Sequence, residues 1–210
     1  MWIVLAKDNQ FGEPIMKSLL CVDFINEIVD PAGKLAGKGY AAFANDRKTL
    51  LNVAAAQKLF RDTKYFVLHA RVGFSPTYSD WPERSPLFGK AREFQALKLG
   101  SWATEFVEAA RPVPNEIVLT KPRVSAFYRT DLDATLRNAG TSKLYIIGVA
   151  TDLAVEATAR DAHDRDFDVT VAEDCCIAAN LQDHQDSLRI ISKIARVATL
   201  HEIVEEIRGM

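Results

Sequence analysis

A series of short apolar runs, solid rather than alternating, narrows what this chain can fold into. SLLCVD (18–23), YFVLH (65–69), EIVLT (116–120), KLYIIG (143–148) and DVTVAE (168–173) recur along the sequence with helical stretches between them. A strand with one wet face alternates apolar and polar residues, whereas a strand covered on both faces reads as a nearly continuous apolar run. The intervening segments have helical character. Asp46 is placed to cap a helix over 47–61 whose apolar side is Leu50, Leu51, Ala54, Leu59 and Phe60. Further helices are expected over 101–110, from Thr130 or Asp131 to Gly140, from Thr151 or Asp152 to about 163, over 183–195, and from His201 onward after a short sixth strand near Val197. This strand–helix alternation predicts an α/β fold, a doubly wound, mostly parallel sheet of about six strands with helices on both faces. In such sheets ligands bind beyond the carboxyl ends of the strands. Asp23, His69, the Thr120–Lys121 pair and the Gly148–Thr151 turn mark those ends.

The 210 residues, 48% of them hydrophobic, suffice for one domain with a large core. Residues 1–15 read as an extension ahead of a natural start at Met16, and 16–210 as a single domain with a pocket loop inserted at about 71–99. Basic and acidic residues are dispersed and the formal charge is -2, which argues against nucleic acid as a partner. No apolar run is long enough for a membrane span. The N-terminus does not read as a signal peptide, and three cysteines make no disulfide framework, so a cytoplasmic location is expected. The glycines of PAGKLAGKG match no phosphate loop, and the four histidines are scattered, so neither a cofactor nor a metal is expected.

Asp23 closes an apolar run. It reads either as a turn or cap residue, or as a partly desolvated carboxylate that exchanges a proton with a substrate. Lys121 precedes Pro122, which biases it toward extended backbone, and an apolar Ser-Ala-Phe follows. A lysine held near a buried carboxylate would stabilise the anion and developing negative charge. The small residues Gly148-Val149-Ala150-Thr151 would let a ligand approach the backbone, with a helix start pointing N–H groups at it. Cys175 and Cys176 read as packing residues, since neighbours on a strand do not face one pocket.

Once these residues are set out, the segments LLCVDFINEIV, VLHARVGFSP, LTKPRVSAFYRTDLDATLRNAG and GVATDLAVEATARDAHDRDFDVTVAEDCC, in that order, resemble the isochorismatase-like hydrolases, also called the cysteine hydrolase superfamily. The resemblance runs from about residue 17 to 207 and implies the three-layer sandwich of that family. It also implies hydrolysis of a C–N bond in a small amide, ureido or carbamoyl compound by an aspartate, a lysine and a cysteine. Asp23 and Lys121 match the first two, and the cysteine position falls at Ala154. The resemblance implies an oxyanion hole at Ala150 and Ala154 and a cis peptide between Val149 and Ala150.

Two accounts of Ala154 stay open at this point: a native cysteine replaced to give an inactive form, or a site that works without one. The second is the isochorismatase type proper, with Asp23 as general acid or base; a silent binding homologue is a third reading. Phe24, Asn26, Arg71, Phe74, Tyr78, Trp81, Phe127 and Thr151 are the expected substrate-binding residues, against the plainer account that the aromatics pack the loop. An arginine in the pocket would favour a carboxylate-bearing small-molecule substrate. The family resemblance also implies a homo-oligomer, dimer or tetramer.

Overall fold

The computed structural model describes residues 16–209; the extension expected over residues 1–15 lies outside them. Six strands, β1 (Met16–Val22), β2 (Phe66–Val72), β3 (Ile117–Lys121), β4 (Thr141–Val149), β5 (Asp168–Ile177) and β6 (Arg196–Ala198), form one sheet in the order β3-β2-β1-β4-β5-β6. Every pairing is parallel. The helices are α1 (Asn26–Val29), α2 (Tyr40–Asp46), α3 (Thr49–Asp62), α4 (Leu132–Asn138), α5 (Glu156–His163), α6 (Leu181–Ile191) and α7 (Leu200–Arg208). None is long and apolar enough to cross a membrane.

The solid apolar runs are explained by covering on both faces. Leu19, Cys21, Tyr145 and Ile147 enter one core with Phe43 of α2, Val53 and Phe60 of α3, and Ile203 of α7. Their neighbours Leu20, Val22, Leu144 and Ile146 enter a second core with Leu136 of α4, Ala159 of α5 and Ile191 of α6. Successive side chains on a strand point to opposite faces, so one run supplies both cores. Together these layers make the three-layer sandwich of the isochorismatase-like type.

Several boundaries differ from expectation, each for a local reason. The segment 101–110 makes two single 3-10 turns, Trp102–Thr104 and Glu108–Ala110, rather than a helix. Its backbone is engaged elsewhere: the Asn26 N–H donates to the Glu105 carbonyl at 2.9 Å, and the Val107 N–H to the Phe24 carbonyl at 3.0 Å. Helix α3 starts at Thr49, after Lys48 in the left-handed region, so Asp46 ends α2 and does not cap α3. Helix α6 begins two residues earlier than expected because Asn180 caps it, its side chain accepting the Asp183 N–H at 2.9 Å. β2 runs on to Val72, which places His69 inside the strand and not at its end.

The chain reverses direction of winding between β1 and β4, the two central strands, so their carboxyl ends open a crevice there. Asp23 follows β1 and Ala150 follows β4. Gly148 keeps the two strand ends close: a Cβ on it would lie 2.7 Å from the Val22 carbonyl oxygen and 2.9 Å from Val22 Cβ.

Candidate active site

Asp23 ties three strands together. Its backbone is left-handed at φ 59°, and its N–H donates to the Ala70 carbonyl of β2 at 2.8 Å. Oδ1 accepts the Val72 N–H of β2 at 2.6 Å, and Oδ2 accepts from Lys121 Nζ of β3 at 2.6 Å. Lys121 Nζ also donates to the carbonyls of Arg123 (3.1 Å) and Val124 (2.9 Å), so all three of its protons have acceptors. Both side chains are almost wholly buried, at 4% and 1% exposure. Burial raises the Asp23 pKa above the ordinary aspartate range, and the Lys121 charge and the hydrogen bonds from Lys121 and Val72 offset this only in part. The result is a carboxyl with a proton affinity higher than that of a solvated one, fixed in one orientation.

The pair opens on a cavity of about 530 Å³. Val149, Ala150, Leu153 and Ala154 form its floor, and the peptide between Val149 and Ala150 is cis, as the resemblance implied. Residues Thr151–Val155 make a π-helical turn that leads into α5. One wall comes from the segment after α1 (Lys34, Leu35, Lys38, Tyr40) and the facing wall from residues 86–97 (Pro86, Leu87, Phe88, Lys90, Ala91, Phe94, Ala96, Leu97). Lys34 Nζ joins the two walls, donating to the carbonyls of Phe94 at 2.9 Å and Gln95 at 3.0 Å.

Of the residues singled out in the sequence, Asp23, Lys121, Ala150 and Ala154 line this cavity together. The expected binding residues do not line it; most stand one layer behind. Tyr78 Oη donates to the Ala96 carbonyl (2.9 Å) and Trp81 Nε1 to the Phe88 carbonyl (2.7 Å), bracing the 86–97 wall. Phe74 stacks edge-on against Phe88 at 5.6 Å, and Phe24 is fully buried in the core. Asn26 donates to the Trp102 carbonyl at 3.0 Å, and Arg71 to the Thr104 carbonyl at 3.0 Å. Phe127 belongs to the opposite core, near Phe167. The Thr151 hydroxyl donates to the Ile177 carbonyl (3.2 Å) and pairs with His184 Nδ1 (2.9 Å), which holds the turn from behind. The cations facing the cavity are lysines rather than Arg71. Lys34, Lys38 and Tyr40 lie in the glycine-rich PAGKLAGKGY segment, which attracts attention only as a phosphate-loop look-alike; its position just beyond the β1 end was the available signal.

His69 is fully buried on the α3 face of the sheet, where Nε2 pairs with Glu116 at 2.9 Å. No group of three or more potential metal-ligating side chains occurs among the described residues.

The isochorismatase domain description matches residues 17–202. The chain belongs to the isochorismatase family. Ureidoacrylate amidohydrolase RutB of Methylobacterium radiotolerans is 32% identical over 167 residues, covering 74% of this chain; the chain spans 64% of that relative's length. The crystal structure of an isochorismatase family protein from Desulfovibrio vulgaris matches with a TM-score of 0.81 at 22% identity, covering 93% of this chain and 100% of that one. N-carbamoylsarcosine amidase from Thermoplasma acidophilum matches with a TM-score of 0.69 at 26% identity, covering 89% and 97%.

Membership stands, but the expectation attached to Ala154 is corrected. The idea of a hydrolase that has lost its nucleophile through a Cys-to-Ala replacement, and is inactive for that reason, does not hold. An intact thiol, Cys21, lies buried on β1 two residues before Asp23, in register with Ile147 just ahead of the Gly148 turn. Its nearness follows from strand register, which motif spacing along the chain does not reveal. Cys21 packs on the α3 face, and burial, with Glu116 adding to it, pushes its thiol pKa well up, so it is held neutral.

Proposed function

We propose that this protein is a hydrolase of the isochorismatase type acting on small amide or ureido compounds, with Asp23 as the proton-transferring group. The observation that carries the reading is the buried Asp23–Lys121 pair opening on the cavity at the strand switch point. Asp23 is the only acidic side chain lining that cavity among the described residues. A carboxyl with a raised pKa suits a group that takes a proton from the attacking group, water or thiol alike, and returns it to the leaving nitrogen. Lys121, fixed by two carbonyls and the carboxylate, keeps positive charge beside the reacting centre. The backbone N–H groups of Ala150, just before the π-helical turn, and of Ala154 within it are proposed to receive the developing oxyanion.

The ureidoacrylate amidohydrolase and the N-carbamoylsarcosine amidase lend support to ureido or carbamoyl substrates. The proposed catalytic unit is the one domain over 16–210. The test is ammonia release from nicotinamide, biuret, ureidoacrylate and N-carbamoyl acids by the wild-type chain and by Asp23→Asn. Turnover of at least one substrate, lost in Asp23→Asn, supports the reading. Turnover that survives the substitution overturns the role of Asp23, and turnover of none overturns the substrate class.

A further inference from the structure

The cavity walls carry more information than the Asp23–Lys121 pair alone. At about 530 Å³ the cavity falls in the range of pockets that enclose a drug-sized ligand, roughly 300–1,000 Å³, and is far larger than a simple ureido acid requires. Away from the carboxylate its lining is mainly apolar, with Leu35, Leu87, Phe88 and Phe94 forming facing surfaces. Leu87 and Phe94 are exposed large hydrophobics. An exposed apolar surface at the rim of a cavity costs solubility, so it is informative as a contact for something that binds.

The charge at the rim has one sign. Lys34, Lys38 and Lys90 line the cavity and are exposed, and no acidic residue but Asp23 lines it with them. Lys34 is occupied by the two carbonyls across the mouth. The side chains of Lys38 and Lys90 have neither an ion-pair partner nor a hydrogen-bond acceptor among the described residues, and they stand on opposite walls. Two unpaired ammonium groups flanking an apolar slot would hold an anionic group at the mouth while an apolar body fills the slot.

We infer that the substrate is an amphipathic amide. Its carbonyl lies at Asp23 and Lys121, an apolar chain or ring runs between Leu35 and the 86–97 wall, and an anionic group ends at Lys38 and Lys90. The inference rests on the hydrolase reading for which bond is placed at Asp23, but the shape and charge of the ligand are read from the walls.

Binding tests it without turnover. Methyl ketone isosteres of suberic acid monoamide and of octanamide, together with acetoacetate, present chain plus carboxylate, chain alone, and carboxylate alone. Calorimetric titration of the full chain is expected to give at least tenfold tighter binding for the suberamic isostere than for either of the others. In a Lys38→Ala/Lys90→Ala variant that advantage over the octanamide isostere falls to less than threefold, while octanamide-isostere binding itself is unchanged. Equal affinity of the two long isosteres, an advantage that survives the double substitution, or no binding by any of the three overturns the inference. Failure of the hydrolase reading would appear separately, as absence of ammonia release from the parent amides despite the predicted order of affinities. Turnover without that order overturns the substrate shape alone.

Discussion

Two carboxylates on one sheet, the buried Asp23 and the half-buried Glu116, have their proton affinities moved in opposite directions. Burial pushes both upward. At Asp23 burial prevails, because the compensation is one ammonium and one backbone N–H. At Glu116 it is overridden: Arg61 donates through Nε and Nη2 at 2.8 Å each, the Val113 N–H adds a bond at 3.0 Å, and His69 a further one. The net pKa is therefore lowered. The difference is partner geometry. A planar guanidinium matches both oxygens of a carboxylate, while a lysine supplies a single point of charge and shares it here with two carbonyls. Glu116 locks the amino-terminal end of β3 to α3; Asp23, at the other end of the same half-sheet, stays able to change its protonation state.

Neutralising each acid in turn separates the two carboxylates most strongly. Asp23→Asn is expected to lower kcat by about 100-fold or more, whereas Glu116→Gln should leave kcat within about threefold on the same substrate. If both substitutions lower kcat equally, the contrast fails.

Stability should respond in the reverse sense. Glu116→Gln is expected to cost about 2–3 kcal/mol in denaturant unfolding at neutral pH, since Arg61 and His69 lose a charged partner. A carboxyl with a lowered folded pKa contributes stability above its unfolded pKa, near 4.5, and loses it as pH falls below that. The gap between wild type and variant should therefore close in acid, and a gap that widens there would contradict the assignment.

The pH dependence of turnover reports on Asp23 directly. If Asp23 must be ionised to accept a proton, the acid limb of kcat/KM lies above the roughly 4 of a solvated aspartate. Lys121→Met removes the cation that opposes burial, so the limb is expected to move higher still. A limb that stays in place would mean another group titrates. The smallest effect concerns Cys21, which neighbours Glu116 and Arg61 electrostatically. With all three cysteines buried, a thiol reagent at neutral pH should modify the native protein negligibly and label three sites only after unfolding.

The parts of this molecule that could be read in advance are those fixed by local pattern. Continuous runs such as SLLCVD and KLYIIG disclosed a sheet covered on both faces, and with it the strand ends where Asp23, Lys121 and the Gly148 turn meet. What escaped was set by contacts between distant segments. Residues 101–110 look helical until Glu105 and Val107 are seen bonding to the loop after β1. Tyr78 and Trp81 have the composition of a binding site, yet their polar atoms serve the carbonyls of the wall in front of them. Leu35, Lys38 and Lys90 gained their place only because two loops face each other across the β1 end.

Asp23 and Lys121 are 98 positions apart and separated in the sheet by β2, whose Val72 N–H completes the carboxylate's coordination. The Asp23–Lys121 pair thus cannot form within any short stretch of chain. It requires three strands to be laid side by side in register, and closing so long a segment has an entropic cost that nearby contacts must first offset. The pair is accordingly expected to be among the last features this half of the sheet acquires during folding. Recovery of the proposed activity after dilution from denaturant should lag recovery of secondary structure, which would make that activity a reporter of a finished sheet.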